Sequence, residues 1–550
     1  MAILALATLD SAAWAEPASA PEQQTKVAAQ TKTGEAKHAP SDVVTIKQGQ
    51  LRGLVEGDVH VFRGIPYAAP PVGDQRWKAP ALPTSWEGVR DCFEFGPACP
   101  QKPDPLMKIF PSGATKTFDE DCLNLNIYRP ANPPSGKLPV MVWIHGGGFE
   151  GGTASMGLYH GASLVRKGVI VVTINYRVGP FGFLAHPSLT AESGTSGNNG
   201  LLDQIAALQW VQENIAAFGG DPGRVTIFGE SAGGNAVIYL LESPLTKGLF
   251  HRAIAQSSGP ITKRHLKVER FGKPSAEQLG QQIIGNCGLS ETADLAAMRR
   301  IPADKLVEAS PRLQISGEDL RLSAIGTPFG PCVDGVVLQD DTKPDVSKDK
   351  QHQIPVLIGH NREEVGLLSM AVQLPDHKEE FEAIARREFG PLAEKCLAAY
   401  PLTDDVKYLR QQSVCILTDY LFGARARQVA RTSSSHNSKT FKYVFSRSPR
   451  APVLSSMGAF HGYEIPFVFG VDHPLMLWQS WDRELSDTIQ QYWVNFAKTG
   501  DPNAPGLPKW PEYGENELSL ELGDQITVQE KYRAAQLDFI DEYVRMSGRK

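Results

Sequence analysis

The chain has 550 residues, 41% hydrophobic and 21% charged, a balance ordinary for a soluble globular protein and one that excludes global disorder. A net charge of −6 leaves no general basic footprint, which excludes nucleic acid as a partner. The length fits one large α/β domain or roughly three or four ordinary ones, and composition does not choose between them.

At the N-terminus an apolar stretch, Met1 to Leu9, leads to the small-x-small site Ala13-Trp14-Ala15. Residues 1–15 therefore read as a signal peptide, without the usual positive n-region, and imply an exported protein, periplasmic or secreted. The segment is too short to span a bilayer, so no membrane span is expected. Residues 16–41 are rich in Ala, Gln, Lys, Pro and Thr without apolar periodicity and read as a disordered leader. From 42 to 550 no linker is long enough to cut the chain, which reads as a single domain.

Residues 43–64 alternate in the manner of a β-meander. After a proline-rich crossing at 67–83 the apolar runs become continuous, at 138–144, 168–175, 224–228, 250–256 and 354–359. Such runs suit strands buried on both faces of a parallel sheet. Residues 201–211 repeat apolar positions at helical spacing, and strand alternating with helix is the α/β signature. The stretches 266–350 and 376–435 break this rhythm and read as insertions above the sheet, where substrate pockets are built.

Seven cysteines leave at least one unpaired within the chain. Cys99 and Cys122 are the pair expected to bridge, closing a short loop in an exported protein. Cys92, Cys287, Cys332, Cys396 and Cys415 show no CxxC or metal spacing and read as buried thiols, and no metal is expected.

The chemistry centres on Gly229-Glu230-Ser231-Ala232-Gly233, where a β-branched run meets a helix-forming segment. Glycines on either side let the backbone turn sharply from strand to helix and hold the Ser231 hydroxyl clear. A serine hydroxyl is a poor nucleophile at neutral pH, so it needs a histidine to take its proton and an acid to orient that histidine. In hydrolase order the acid comes next, and Glu363-Glu364 follow the apolar run at 354–359. The histidine comes last, and His461 lies between glycines in Gly458-Ala459-Phe460-His461-Gly462, although one of 13 histidines is not singled out by spacing alone.

His145-Gly146-Gly147-Gly148-Phe149 directly follows a buried run, and its glycines let backbone N–H groups converge on an oxyanion. Gly146 to Gly151 also satisfies the dinucleotide fingerprint, but Gly152-Thr153-Ala154-Ser155 is a poor helix start and no acidic residue ends the next strand. Ser347-x-x-Lys350 lies in a charged loop with no helix to present the lysine.

Several long motifs resemble the type-B carboxylesterases, the cholinesterase-like branch of the α/β-hydrolases, in their bacterial form. These are FRGIPYAAPPVGDQRW (62–77), EDCLNLNIYRP (120–130), VWIHGGGF (142–149), INYRVGPFGFL (174–184), GNNGLLDQ (197–204), FGGDPGRVTIFGESAGG (218–234), GAFHGYEIPFVFG (458–470) and WVNFAKTGDPN (493–503). The resemblance implies an α/β-hydrolase fold with a large, mostly parallel central sheet, helices on both faces and helical insertions forming a substrate gorge. It implies Ser231 as nucleophile, His461 as general base and acid, and Glu364 as the orienting carboxylate. Gly147, Gly148 and the amide of Ala232 would form the oxyanion hole, with Glu230 and Ser257 in support. The family's acid sits in a pattern like Asp-Glu-Gly; Val365 replaces the glycine here, which leaves Glu363 and Glu364 both open. The resemblance supports the Cys99–Cys122 bridge, whereas Met298 stands where a partner for Cys287 would be expected.

The implied activity is hydrolysis of small-molecule carboxylic esters, bulky natural or xenobiotic ones, through an acyl-enzyme and without a cofactor. Residues 100–121 lack the tryptophan with which cholinesterases hold choline, which argues against a choline ester. The basic stretch Thr262-Lys263-Arg264-His265-Leu266-Lys267 reads first as a solvated helix start, and as its second reading a cluster that attracts anionic acyl groups such as those of polycarboxylic mycotoxin esters. A binding-only, adhesion-type role is the alternative function, against which Ser231 and His461 are both retained. Nothing in the sequence sets the oligomeric state.

Overall fold

The apolar runs become the middle of one 13-stranded sheet. The computed structural model describes residues 39–546 except 103–114, 116, 260–263, 271–272, 311–328, 340–351, 368–373 and 437. The signal peptide, most of the leader, Lys263 and the Ser347-x-x-Lys350 stretch therefore lie outside the described residues. In chain order the strands are β1 (Pro40–Ile46), β2 (Gly49–Glu56), β3 (Val59–Pro66), β4 (Val89–Asp91), β5 (Asn124–Pro130), β6 (Leu138–Ile144), β7 (Ile170–Ile174) and β8 (Gly220–Glu230). They continue with β9 (Arg252–Gln256), β10 (Arg264–His265), β11 (Cys332–Val333), β12 (Val356–Asn361), β13 (Thr440–Phe445), β14 (Ser519–Leu522) and β15 (Ile526–Gln529). The sheet order is β1-β2-β3-β5-β7-β6-β8-β9-β12-β13-β14-β15, with β4 beside β2, and β10 and β11 pair apart. From β7 through β14 every neighbour is parallel, and the antiparallel pairs lie towards the two edges.

The continuous apolar runs follow from burial on both faces. Along β6, Val140, Val142 and Ile144 enter one core with Val172, Ile227 and helices α1 (Asn199–Asn214) and α2 (Ala232–Glu242). The alternate residues Met141 and Trp143 enter the opposite core with Val171, Phe228 and helix α4 (Ser480–Thr499). A period of two thus sends successive apolar side chains to opposite faces. Trp143 packs its ring on Tyr159, Phe228 and Phe469 at centroid distances of 5.0, 4.8 and 5.0 Å. Truncating it to alanine would cost about 3–5 kcal/mol by lost burial and a residual cavity.

Two expectations change. The leader read to 41 ends earlier, because Pro40 already belongs to β1 and pairs with Leu54. The stretch 376–435 is not wholly an insertion above the sheet, because helix α3 (Ala424–Ser435) packs on β12 and β13. Strand β5 carries Asn124 and Asn126 rather than a continuous apolar run; Asn126 donates to Thr173 Oγ1 at 3.0 Å, so its burial is satisfied by a partner on β7.

Cys99 and Cys122 form a disulfide across 23 residues. Cys92, Cys287, Cys332 and Cys396 are buried free thiols and Cys415 is half-buried; Cys287 and Met298 share one apolar core. Among the described residues no helix is long and apolar enough to cross a membrane. Because β6, β8, β9, β12 and β13 are parallel, the segments after their carboxyl ends emerge at one edge, which is where ligands bind in α/β sheets.

Candidate active site

Strand β8 ends at Glu230, Ser231 turns with φ 58° and ψ −121°, and α2 begins at Ala232. Left-handed backbone at a non-glycine residue costs on the order of 1–3 kcal/mol and persists only where the surroundings impose it. Here they do. A Cβ on Gly229 would lie 2.6 Å from the Ile144 carbonyl oxygen, and one on Gly233 would lie 2.0 Å from the same atom. The two glycines let the turn close against the end of β6, and the Ser231 N–H donates to the Gln256 carbonyl at 3.0 Å. Gly146 is held likewise, since a Cβ there would sit 3.1 Å from Ser231 Cβ.

His461, in the segment after β13, brings Nε2 to 2.8 Å from Ser231 Oγ and Nδ1 to 2.6 Å from Glu364 Oε2. The other oxygen of Glu364 accepts the Asn361 N–H at 2.7 Å. Glu363 faces elsewhere: Oε1 accepts from Arg362 Nε at 2.6 Å and Oε2 from the Ala459 N–H at 2.8 Å. Adjacent carboxylates thus have separate partners, one on the imidazole and one bracing the loop that carries it. Val365, in place of the family's glycine, is buried in a peripheral core with Phe422, whose ring lies 5.0 Å from that of His461.

The surroundings of His461 are rich in buried carboxyls. Glu230 Oε1 lies 3.2 Å from His461 Nε2 and lacks a hydrogen-bond partner. Burial pushes the Glu230 carboxyl well above its ordinary range. Burial also opposes charge on His461, but Glu230 and Glu364 outweigh it and raise the imidazole above its ordinary value. Glu464 accepts from Asn361 Nδ2 at 2.7 Å and Gln256 Nε2 at 3.1 Å, and burial followed by the Glu364 charge raises it too. Ser257 is buried with φ 47°, and its N–H donates to the Gly359 carbonyl at 2.8 Å. Its hydroxyl makes no hydrogen bond to Ser231, His461 or Glu364.

Beside the elbow, Gly147, Gly148 and Phe149 all have positive φ, at 109°, 66° and 61°. The Gly147 carbonyl accepts N–H groups from Glu150 and Gly151, each at 3.1 Å. A Cβ at Gly147 would lie 2.3 Å from the Gly151 carbonyl oxygen, so the tight turn requires glycine there. No helix opens at this turn, and the next short helical turn starts at Gly157, which disposes of the dinucleotide reading. The ring of His145 stacks on Tyr176 at 4.4 Å, and Tyr176 donates to the His145 carbonyl at 2.8 Å. Among the described residues no group of three or more His, Cys, Asp or Glu is placed to hold a metal ion.

The model of the family described as "Carboxylesterase family" matches residues 40–540. The chain belongs to the carboxylesterase family. It is a carboxylic-ester hydrolase of α/β-hydrolase fold. Among similar proteins, the para-nitrobenzyl esterase of Bacillus subtilis (strain 168) is 39% identical over 496 residues, 88% of this chain and 96% of that protein. The fumonisin B1 esterase of Sphingopyxis macrogoltabida is 36% identical over 499 residues, 88% of this chain and 87% of that one. A solved PNB esterase structure superposes with a TM-score of 0.75 at 37% identity, covering 90% of this chain and 99% of its own.

In this carboxylesterase the geometry brings together Ser231, His461 and Glu364, leaves Glu363 outside, and adds three residues that sequence reasoning missed. Asn361 bridges Glu364 and Glu464. Glu464 stands three residues after His461 inside a motif already singled out, so that spacing was the available signal. Phe422 had none, because its segment has no strand or motif to anchor it.

Proposed function

We propose that the protein is a serine carboxylesterase in which Ser231 is the nucleophile, His461 the proton carrier and Glu364 the orienting carboxylate. The observation that carries this reading is the unbroken hydrogen-bonded line from Ser231 Oγ through both imidazole nitrogens to Glu364. As Ser231 Oγ attacks the ester carbonyl carbon, its proton passes to His461 Nε2, and the imidazolium is stabilised by Glu364 on Nδ1. The carbonyl oxygen becomes an oxyanion that accepts from the N–H groups of Gly147, Gly148 and Ala232, each donor contributing about 3 kcal/mol to the transition state. The imidazolium then gives its proton to the departing alkoxide oxygen, and the alcohol leaves. A water, deprotonated by the same histidine, hydrolyses the acyl-enzyme and regenerates Ser231.

Glu230 supports the imidazolium from the Nε2 side, and Ser257 supports the floor beneath it through its backbone. Substrates are bulky natural or xenobiotic esters. Anionic acyl groups form a second reading, favoured by the likeness to the fumonisin B1 esterase. Of the described members of the basic stretch, Arg264 donates Nη1–H to the Pro274 carbonyl at 3.1 Å and His265 Nδ1 accepts the Lys267 N–H at 3.4 Å. The chain from Pro40 onward acts as one domain, exported behind the segment 1–15, and the Cys99–Cys122 bridge suits an oxidising compartment.

The test is turnover of 4-nitrophenyl acetate together with labelling by a fluorophosphonate probe. The labelled peptide is expected to contain Ser231, and Ser231→Ala is expected to lose both labelling and about 10⁵-fold or more of kcat. Labelling at another residue, or turnover that survives Ser231→Ala, would sink the assignment.

A further inference from the structure

One imidazole nitrogen has two claimants. His461 Nε2 lies 2.8 Å from Ser231 Oγ and 3.2 Å from Glu230 Oε1. Only the first contact is productive, because a proton held between Nε2 and Glu230 occupies the place that the Ser231 proton must take. The hydrogen bond from Nδ1 to Glu364 fixes one atom of the ring and not its plane, so another contact has to set where Nε2 points. The ring of Phe422 lies against the imidazole, with centroids 5.0 Å apart and planes tilted by 43°. A Cβ on Gly259 would lie 3.6 Å from Phe422 Cε1, so the same buried ring also abuts the segment after β9.

Phe422 belongs to a π-helical turn, Asp419–Gly423, between the helix Val406–Thr418 and α3. The Ala424 N–H reaches back five residues to the Asp419 carbonyl, which inserts one residue relative to an α-helix. Loss of that extra residue would rotate Phe422 by about 100° relative to one of the flanking helices. The turn is tied to the C-terminal segment. Arg533 Nε donates to both oxygens of Asp419 at 3.0 and 2.9 Å, Arg533 Nη2 to Oδ2 at 2.7 Å, and the Tyr400 hydroxyl to Oδ2 at 2.8 Å. Asp419 is buried, and Arg533, with φ 52°, directly precedes helix α5 (Ala534–Met546). A Cβ on Gly423 would lie 3.2 Å from Leu537 Cδ2 and 3.3 Å from Asp419 Oδ1, so α5 and the turn close on each other across that glycine. A buried pair with forked geometry fixes an arrangement even where it adds little net stability.

We propose that Phe422 is a positioning residue for the proton carrier: held by the Asp419–Arg533 pair, its ring keeps the His461 imidazole with Nε2 on Ser231 and off Glu230. The proposal rests on the serine-esterase reading of Ser231 and His461, and it gives the C-terminal segment a part in aiming the base. The charged groups that face the imidazole are Glu364 at Nδ1 and Glu230 at Nε2, with the charge of Glu464 acting on Glu230.

The experiment measures kcat, KM and the pH profile of 4-nitrophenyl acetate hydrolysis, per folded enzyme by circular dichroism. The full-length proteins are wild type, Phe422→Ala, Arg533→Lys, Glu230→Gln and the double variant Phe422→Ala/Glu230→Gln. Phe422→Ala is expected to lose about thirtyfold in kcat with KM changed by less than about threefold, the mark of an interaction that serves the transition state. Its acidic limb moves to higher pH, because an imidazolium paired with Glu230 gives up its proton later. Arg533→Lys keeps the charge but not the fork, and is expected to shift kcat and the limb in the same directions by less. Adding Glu230→Gln to Phe422→Ala removes the competing acceptor, so the double variant is expected to be about tenfold more active than Phe422→Ala, the scale of one hydrogen bond to a charged group. A merely structural role gives losses that add. If Phe422→Ala does not fold, Phe422→Leu with and without Glu230→Gln completes the same cycle. A double variant no more active than the Phe422 variant alone, an acidic limb left in place, or wild-type kcat and limb in Arg533→Lys would overturn the proposal. Failure of the esterase reading shows separately, as turnover that survives Ser231→Ala.

Discussion

The elbow at Ser231 and the loop at Glu363-Glu364 lie at the carboxyl ends of β8 and β12, separated in the sheet only by β9. They are specified in different ways. The elbow is held by backbone packing, with two glycines in contact with the Ile144 carbonyl, so its geometry is written into residue types within five positions. The acid loop is specified by pairing at long range: Glu364 belongs to His461, and Glu363 to Arg362 and Ala459. A site built on backbone fit breaks when volume is added, whereas one built on partners breaks when a proton acceptor is removed.

The largest expected effect separates the two glutamates. Glu364→Gln is expected to lose about 10⁴-fold in kcat, the scale found when the triad carboxylate of a serine protease is replaced by its amide. Glu363→Gln should lose less than about tenfold in kcat while lowering unfolding free energy by about 1–3 kcal/mol, because the Ala459 N–H and Arg362 lose a charged acceptor. Equal losses of kcat would break the distinction. Steady-state kinetics and urea unfolding of the two variants measure it.

Gly233→Ala tests the elbow. Alanine in a helix is ordinarily favoured over glycine by about 1 kcal/mol, yet here the new Cβ meets the Ile144 carbonyl oxygen at 2.0 Å. Overpacking against backbone outweighs propensity, and a net loss of about 1–3 kcal/mol is expected, read as a lower denaturation midpoint. A stabilised variant would show that helix propensity dominates at the elbow.

The smallest effect is a shift in pH dependence. His461 must be neutral to take a proton, and its carboxyl neighbours favour the imidazolium, so kcat/KM should rise as pH rises through the titration of His461. Removing the charge in Glu230→Gln lowers that titration, and the acidic limb should move to lower pH by roughly one unit. A limb that stays in place or moves to higher pH would show that Glu230 does not support the imidazolium.

Much of the fold was legible because it rests on local pattern. Runs buried on both faces identify β6 to β9 and β12, and helical spacing identifies α1. Where a strand buries polar groups with distant partners, as Asn126 does against Thr173, the pattern dissolves and β5 goes unread. The same division runs through the site. Ser231 and the glycines at 147 and 148 were readable because the positive-φ turns in which they sit are rare and draw glycine to fixed positions. The histidine and the acid needed a family resemblance to be picked out. Glu464, Asn361 and Phe422 went unrecognised because each acts through space on residues far away in the chain.

Sequence by itself determined the alternation of strand and helix, the sharp turn at Ser231 and the glycine turn beside it, since backbone sterics act over a few residues. Only the tertiary structure decided which of two adjacent glutamates reaches His461, how buried carboxyls gather around that imidazole, and that Phe422 lies against it. Hydrogen bonds and charges act between groups that the fold brings within about 3 Å, whatever their separation along the chain.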